Sequence, residues 1–186
     1  MAQKQKPRLL LHICCAPCAS WAAKCLMSDY EVTLFFYNPN IWPQEEWSKR
    51  LAVVEKLAGI YNLPLIIDDS GVEDWLIMAS PLSQEPEQGR RCQLCYEWRL
   101  RQTATRADQE GYAYFATSLT VSPYKDREAI NQAGQLVARV VDANYLPTNF
   151  QENDGYGQSI ELSKKYGLYR QRYCGCKFSI DKNNIK

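Results

Sequence analysis

Seven of the eight cysteines in this chain of 186 residues fall into three tight groups: Cys14, Cys15 and Cys18 in CCAPC, Cys92 and Cys95 in CQLC, and Cys174 and Cys176 in CGC. A CxxC pair lets two thiolates from one turn reach a single metal or two corners of a cluster, and in isolation it reads as zinc. The glycine of CGC permits a sharp backbone path that aims both sulfurs inward or at neighbouring metals. Side chains of adjacent residues diverge at a strand end, so Cys14 and Cys15 are expected to serve two neighbouring centres. Seven thiols exceed one tetrahedral zinc or one four-cysteine iron–sulfur cluster. Four thiolates around a cluster, beside a second metal held by three, fit the count and leave that metal an open position for substrate. Cys25, seven residues beyond Cys18 on an apolar helix, reads as a small core residue.

Two other readings of the same residues stand beside this one. The thiols would form two zinc sites that pin loops to the fold, or CAPC would act as a thioredoxin-like dithiol between a strand and a helix, whose N-terminus lowers a thiol pKa. The dithiol reading leaves CQLC and CGC without a role.

Composition narrows the setting. Residues 1–7 are polar and basic, the apolar run behind them is too short for a signal core, and no stretch approaches the roughly 20 apolar residues of a membrane span. The expectation is a cytoplasmic protein with no membrane partner, in which cysteines are metal ligands or redox groups and disulfides are absent. The 46% hydrophobic and 23% charged residues are ordinary for a globular chain, and the net charge of +1 does not itself call for nucleic acid. Lys164 to Lys186 nevertheless holds seven Lys or Arg against one acid, and Arg90 to Arg106 five Arg against one Glu. Both stretches surround cysteines, as a positive rim or as two solvated faces.

The elements that must position these groups alternate between strand and helix. Strands are expected at Arg8–Ile13, Val32–Tyr37, Leu65–Ile67 and Ala113–Ala116. Helices are expected at Ala19–Met27, Pro43–Tyr61, Val72–Met78, Leu94–Glu110, Lys125–Val140 and Ser159–Tyr166, with Ser80–Gly89 a loop. Helices between strands imply parallel pairing and right-handed crossovers. The fold class is therefore α/β: one doubly wound parallel sheet, Rossmann-like, spanning 1–186 as a single domain, with a C-terminal metal-binding appendage at 145–186 closing over the site. Ligands bind such sheets outside the carboxyl ends of the strands, where CCAPC, YNPN, Asp68-Asp69 and Thr117-Ser118 all fall.

The stretches HICCAPC, FFYNPNIWPQEEWSKR, CQLCYEWRLRQTA, FATSLTVSPYKD and LYRQRYCGCKFS together resemble successive signatures of the QueH-type epoxyqueuosine reductases. The resemblance runs from His12 to Ser179 and includes the order and spacing of all seven grouped cysteines. It implies a fold similar to the nucleotide-binding alpha-hydrolase-like group, a 4Fe-4S cluster with an adjacent mononuclear metal, iron, and cobalamin-independent reduction of the epoxide of epoxyqueuosine at the wobble position of tRNA. That reaction takes two electrons and two protons. No GxGxxG fingerprint is present, so an external electron donor is expected.

Within that implication, Cys14, Cys92, Cys95 and Cys174 are assigned to the cluster, and Cys15, Cys18 and Cys176 to the second metal. Some relatives carry Asp where this chain has Cys18, which leaves iron and zinc both open there. Tyr37, Tyr124, Tyr173 and a metal-bound water are the candidate proton donors. Asn38 and Asn40 hold a loop or read the substrate, and Arg170 and Gln171 are candidates for contacts to the anticodon. His12, the single histidine, reads as a hydrogen-bonded core group. Trp42 and Trp47 are core or base-stacking surface. The rival class is a zinc-binding, RNA-interacting module without redox catalysis.

Overall fold

The computed structural model describes residues 5–179. Five strands, β1 (Arg8–His12), β2 (Glu31–Tyr37), β3 (Leu65–Asp68), β4 (Tyr114–Thr117) and β5 (Asn144–Tyr145), form one parallel sheet in the order β3-β2-β1-β4-β5. Leu9, Leu10 and Leu11 of β1 are fully buried, as a central strand covered on both faces requires. Leu10 lies opposite Thr33 on one side and Phe115 on the other.

Six helices cover the sheet: α1 (Ala16–Leu26), α2 (Gln44–Tyr61), α3 (Val72–Ala79), α4 (Arg90–Gln109), α5 (Arg127–Val137) and α6 (Gly155–Tyr166). The chain moves outward from β1 through α1 and α2, then returns across the sheet and moves the other way through α4 and α5. Right-handed crossovers place those two pairs on opposite faces. The contacts agree, since α1 packs on α2 and α6 while α4 packs on α5 and α3. The result is the doubly wound α/β class read from the sequence.

Two boundaries differ from expectation in ways that matter for the site. Helix α4 begins at Arg90, four residues before the expected Leu94, so the whole of CQLC lies in its opening turns instead of straddling its start. The expected appendage begins inside the sheet, because Tyr145 pairs with Phe115 in a strand too short to show a period-two pattern. Its helix α6 is a structural layer beside α1, capped by the Asp154 side chain accepting from Gly157 N. Residues 180–186 of that expected segment lie outside the described residues.

Candidate metal centre

Strand order reverses between β1 and β4, so the crevice lies at their carboxyl ends. Beyond His12, Ile13 N still donates to Phe35 O, and the chain then turns into α1 with Cys15 as its N-cap. Cys14 Sγ stands 3.7 Å from Cys15 Sγ, and Cys18, in the first turn of α1, shares hydrogen bonds with both. The expected divergence of Cys14 and Cys15 is thus not found. Strand alternation has ended at His12, and the turn into the helix brings the two thiols together. The hydrogen bond from Cys14, followed by that from Cys18, holds Cys15 well below the ordinary thiol range, while Cys18 is pushed up by the same two partners.

A second group of thiols comes from α4 and the C-terminal loop. Cys92 and Cys95 are three apart on the helix and share a face. The CGC loop is tied to the segment after β2: Ile41 bridges Cys176, and Trp42 N donates to Gly175 O at 2.8 Å. The buried Arg50 guanidinium donates to Cys174 O at 3.0 Å and Tyr173 O at 3.1 Å, and pairs with Glu46 at 2.7 Å. Gly175 has φ of 100°, which an L side chain adopts only with strain. Cys176 and Cys95 pack in one apolar cluster with Trp75 and Ala79, with Cys174 against it. Cys174 feels the charge of Cys14, and Cys92 packs against the core that holds Cys14, Cys15 and Cys18, so the two groups of thiols are neighbours. All eight cysteines are unpaired thiols.

The electrostatics suit thiolates. Arg99 is 1% exposed, with Nε donating to Cys95 O, Nη1 to Asn38 Oδ1 and Nη2 buried without a partner. Half-buried Lys125 donates from Nζ to Cys174 Sγ at 3.6 Å. Among the described residues neither cation forms an ion pair with a carboxylate. Burial acts to raise the Cys174 thiol, but Lys125 and then Arg99 outweigh it, and the net shift is downward. Buried positive charge without acidic partners calls for negative charge at the same place, and thiolates on a metal supply it. No three Cys, His, Asp or Glu side chains among the described residues are already closed around one point as metal ligands. The donor set is gathered at one edge, and the chemistry of thiols plus unpaired cations fits a metal centre.

The fold separates the other candidates. His12 is buried and bridges Thr117 Oγ1 at 2.9 Å and Tyr37 O at 3.1 Å. Burial, then Arg99, lowers its pKa to about 3, so it is the neutral core group read from the sequence. Tyr37 Oη accepts from Trp98 Nε1, and burial raises the phenol. Tyr173 Oη donates to Trp42 O at 2.6 Å. Tyr124 is 68% exposed, edge-on to Tyr156. Asn38 Nδ2 donates to Ile13 O, whereas the amide of Asn40, 1% exposed, has no partner at either atom. Gln171 Nε2 donates to Cys15 Sγ at 3.0 Å, which puts it at the thiols. Arg170 Nη1 donates to Ser159 O and Ser163 Oγ, so its guanidinium braces α6. Cys25 is exposed, not core, because α1 turns that face away from the sheet.

Three residues at the centre were not singled out in the sequence: Arg99, Lys125 and Tyr96. Arg99 is one helical turn beyond Cys95, a spacing that places both on one face. Tyr96 is buried next to Cys95, raised by burial, and feels the charges of Lys125, Cys92 and Cys174. Lys125 follows the end of β4 by a loop that only the folded sheet carries to Cys174.

The model of the family described as Epoxyqueuosine reductase QueH matches residues 9–182. The protein of that name from Streptococcus pyogenes serotype M1 is 35% identical over 186 residues, covering 97% of this chain and 73% of the relative. The one from Thermotoga maritima is 32% identical over 175 residues, covering 92% and 90%. Among solved structures, the U34-tRNA thiolase NcsA from Methanococcus maripaludis, determined with its [4Fe-4S] cluster, superposes with a TM-score of 0.59 at 12% identity over 96% of this chain and 63% of that one. A predicted tRNA methyltransferase subunit from Methanocaldococcus jannaschii gives 0.54 at 16% identity, over 84% and 74%. At such identities the two structures speak to the fold alone. The family match reaches from β1, ahead of Cys14, to beyond Cys176 and so takes in all seven gathered thiols: the chain belongs to the epoxyqueuosine reductase QueH family of oxidoreductases.

Proposed function

We propose that the protein reduces the epoxide of epoxyqueuosine in the anticodon region of tRNA to the alkene of queuosine, using a 4Fe-4S cluster and an adjacent mononuclear metal, iron. Both epoxide C–O bonds break, two electrons enter from an external donor, and two protons leave with the oxygen as water. When bound, a cluster supplies electrons singly, and a second metal with an open position supplies a Lewis acid. NcsA, which shares the fold, carries a [4Fe-4S] cluster.

Packing favours a division of ligands that differs from the one read in the sequence by exchanging Cys14 and Cys176. Cys95, Cys174 and Cys176 share one apolar cluster, and Cys92, one turn before Cys95 on α4, reaches toward the core that holds Cys14, Cys15 and Cys18; these four suit a cluster at that boundary. Cys14, Cys15 and Cys18 share one hydrogen-bonded knot and suit the second metal. Arg99 and Lys125 balance thiolate charge, and Gln171 orients Cys15. Lys125 Nζ, which donates to Cys174 Sγ, and the buried phenol of Tyr96, which feels the charges of Lys125, Cys92 and Cys174, are the proton donors of this reading. The unpartnered amide of Asn40 is available to a polar group of the nucleoside.

The observation that carries this reading is that seven unpaired thiols and two cations with no carboxylate partner among the described residues lie near the strand-order reversal. Its test is iron and acid-labile sulfide on protein purified without oxygen, followed by turnover of epoxyqueuosine-containing tRNA. About four sulfides with four or five irons per chain, bleached by dithionite, is the expected result. Zinc without sulfide would overturn it in favour of a structural RNA-interacting module.

A further inference from the structure

The aromatic groups on the outer side of the CGC loop have no part in the chemistry above. Trp42 is 41% exposed, although its backbone is held on both sides: its N–H donates to Gly175 O at 2.8 Å and its carbonyl accepts from Tyr173 Oη at 2.6 Å. The Trp42 backbone is therefore tied to the residue between Cys174 and Cys176, and its indole is partly exposed there. Lys177, exposed, holds its ammonium 5.8 Å from the indole centroid. Linked to this loop through Glu46 and Arg50, half-buried Tyr169 has Lys49 Nζ 3.8 Å from its ring centroid, and Arg172 is exposed between Tyr169 and Tyr173 in the chain. The nearby carboxylate of Glu46 is taken up by Arg50 and by Tyr169 Oη, while Glu45 remains an exposed acid on the first turn of α2.

Aromatic faces alternating with lysine and arginine beside a reaction centre are what a single nucleic-acid strand requires. Bases stack on the rings and phosphates meet the cations. Trp47, by contrast, is half-buried against Phe36 and offers no such face. Arg170, with its guanidinium turned to α6, leaves the RNA contact to these neighbours.

We infer that the exposed indole of Trp42, with Lys177 beside it, is the stacking platform for an unpaired base flanking the modified nucleoside of the RNA substrate. The platform rests on the reading of tRNA as substrate, and it commits this face to a single-stranded loop instead of a duplex stem. A base stacked on Trp42 sits beside the CGC loop to which the Trp42 backbone is bonded, which brings its neighbour in the strand toward the thiol centre. An aromatic ring of any kind serves this role, so Trp42→Phe retains it and Trp42→Ala does not. Lys177 contributes charge and not stacking, so its loss shows in salt dependence.

The experiment is binding of an anticodon stem-loop to the full chain, followed by anisotropy across a salt series and by intrinsic tryptophan fluorescence. Wild type, Trp42→Phe, Trp42→Ala and Lys177→Gln are compared at matched metal content and thermal midpoint. The expected results are about tenfold weaker binding for Trp42→Ala, near-wild-type affinity for Trp42→Phe, and a log–log salt slope smaller by about one for Lys177→Gln. Quenching of tryptophan emission on binding is expected in wild type and lost in Trp42→Phe. Wild-type affinity in Trp42→Ala, or quenching that persists in Trp42→Phe, overturns the platform while leaving the tRNA reading intact. Failure of wild type itself to bind the stem-loop overturns both.

Discussion

Lys125 Nζ lies 3.6 Å from Cys174 Sγ, and no carboxylate among the described residues pairs with it. A fixed cation beside a thiolate-bound centre favours the state that carries the additional electron, because charge in a partly desolvated site is weakly screened. Lys125→Met is expected to lower the midpoint potential, changing the reduced-to-oxidised ratio at fixed potential by about tenfold, or ~59 mV for a one-electron couple. Lys125→Arg is expected to stay close to wild type. A spectroelectrochemical titration reads this directly, and an unchanged midpoint in Lys125→Met with full iron content would show that the lysine has no tuning role.

The parts of the centre legible in the sequence were those fixed by local pattern. The apolar runs of β1 and β2 put CCAPC and YNPN at the carboxyl edge of the sheet, and the family resemblance brought CQLC and CGC to the same centre. What was not legible depends on three-dimensional closure. Arg99 falls in a basic stretch read as a positive rim or a solvated face, and Arg50 carries no sequence signal because arginine is rarely buried, yet each is 1% exposed. Arg170 read as an RNA contact because of its neighbours in sequence, and its direction is set by Ser159 and Ser163 on α6. The grouping of Cys176 with Cys95 depends on the bridge from Ile41 to Cys176, a pairing across 135 residues that no local pattern encodes.

Arg50 sets the shape of the CGC loop through the carbonyls of Tyr173 and Cys174. Arg50→Met leaves both carbonyls without that donor and Glu46 with Tyr169 Oη alone, a loss of about 2–4 kcal/mol. Thermal unfolding should move down by about 5–10 °C, and iron content should fall as Cys174 and Cys176 lose their positions. Gly175→Ala attacks the same loop by another route. Its φ of 100° is strained for alanine, and the new Cβ would lie 2.8 Å from Arg50 Nη1. An Arg50→Met protein that keeps its midpoint and its iron would remove the guanidinium from this role.

Asn38 and Asn40 are both 1% exposed and two residues apart, yet they predict opposite outcomes. The Asn38 amide satisfies Ile13 O and receives Arg99 Nη1, so Asn38→Leu should cost about 2–4 kcal/mol of stability. The Asn40 amide has no partner, and replacing an unsatisfied buried amide by leucine should leave stability unchanged or raise it. Its loss should appear as a higher KM for modified tRNA. Chemical denaturation and steady-state kinetics on the two variants separate structural from substrate-facing amides, and a stability loss in Asn40→Leu matching that of Asn38→Leu would deny Asn40 its substrate role.

The division of thiols makes the sharpest demand. If Cys92, Cys95, Cys174 and Cys176 hold the cluster, serine at any of them should remove most of the acid-labile sulfide, because a four-cysteine site loses a corner. If Cys14, Cys15 and Cys18 hold the second metal, serine at Cys15 or Cys18 should leave sulfide near four per chain and remove about one iron. Cys14 and Cys176 decide between this division and its rival, since these two residues exchange roles. Sulfide lost in Cys176→Ser but kept in Cys14→Ser follows from the packing of Cys176 with Cys95 and of Cys14 with Cys15. The reverse pattern would mean that metal binding pulls Cys14 across to Cys174, which already feels its charge.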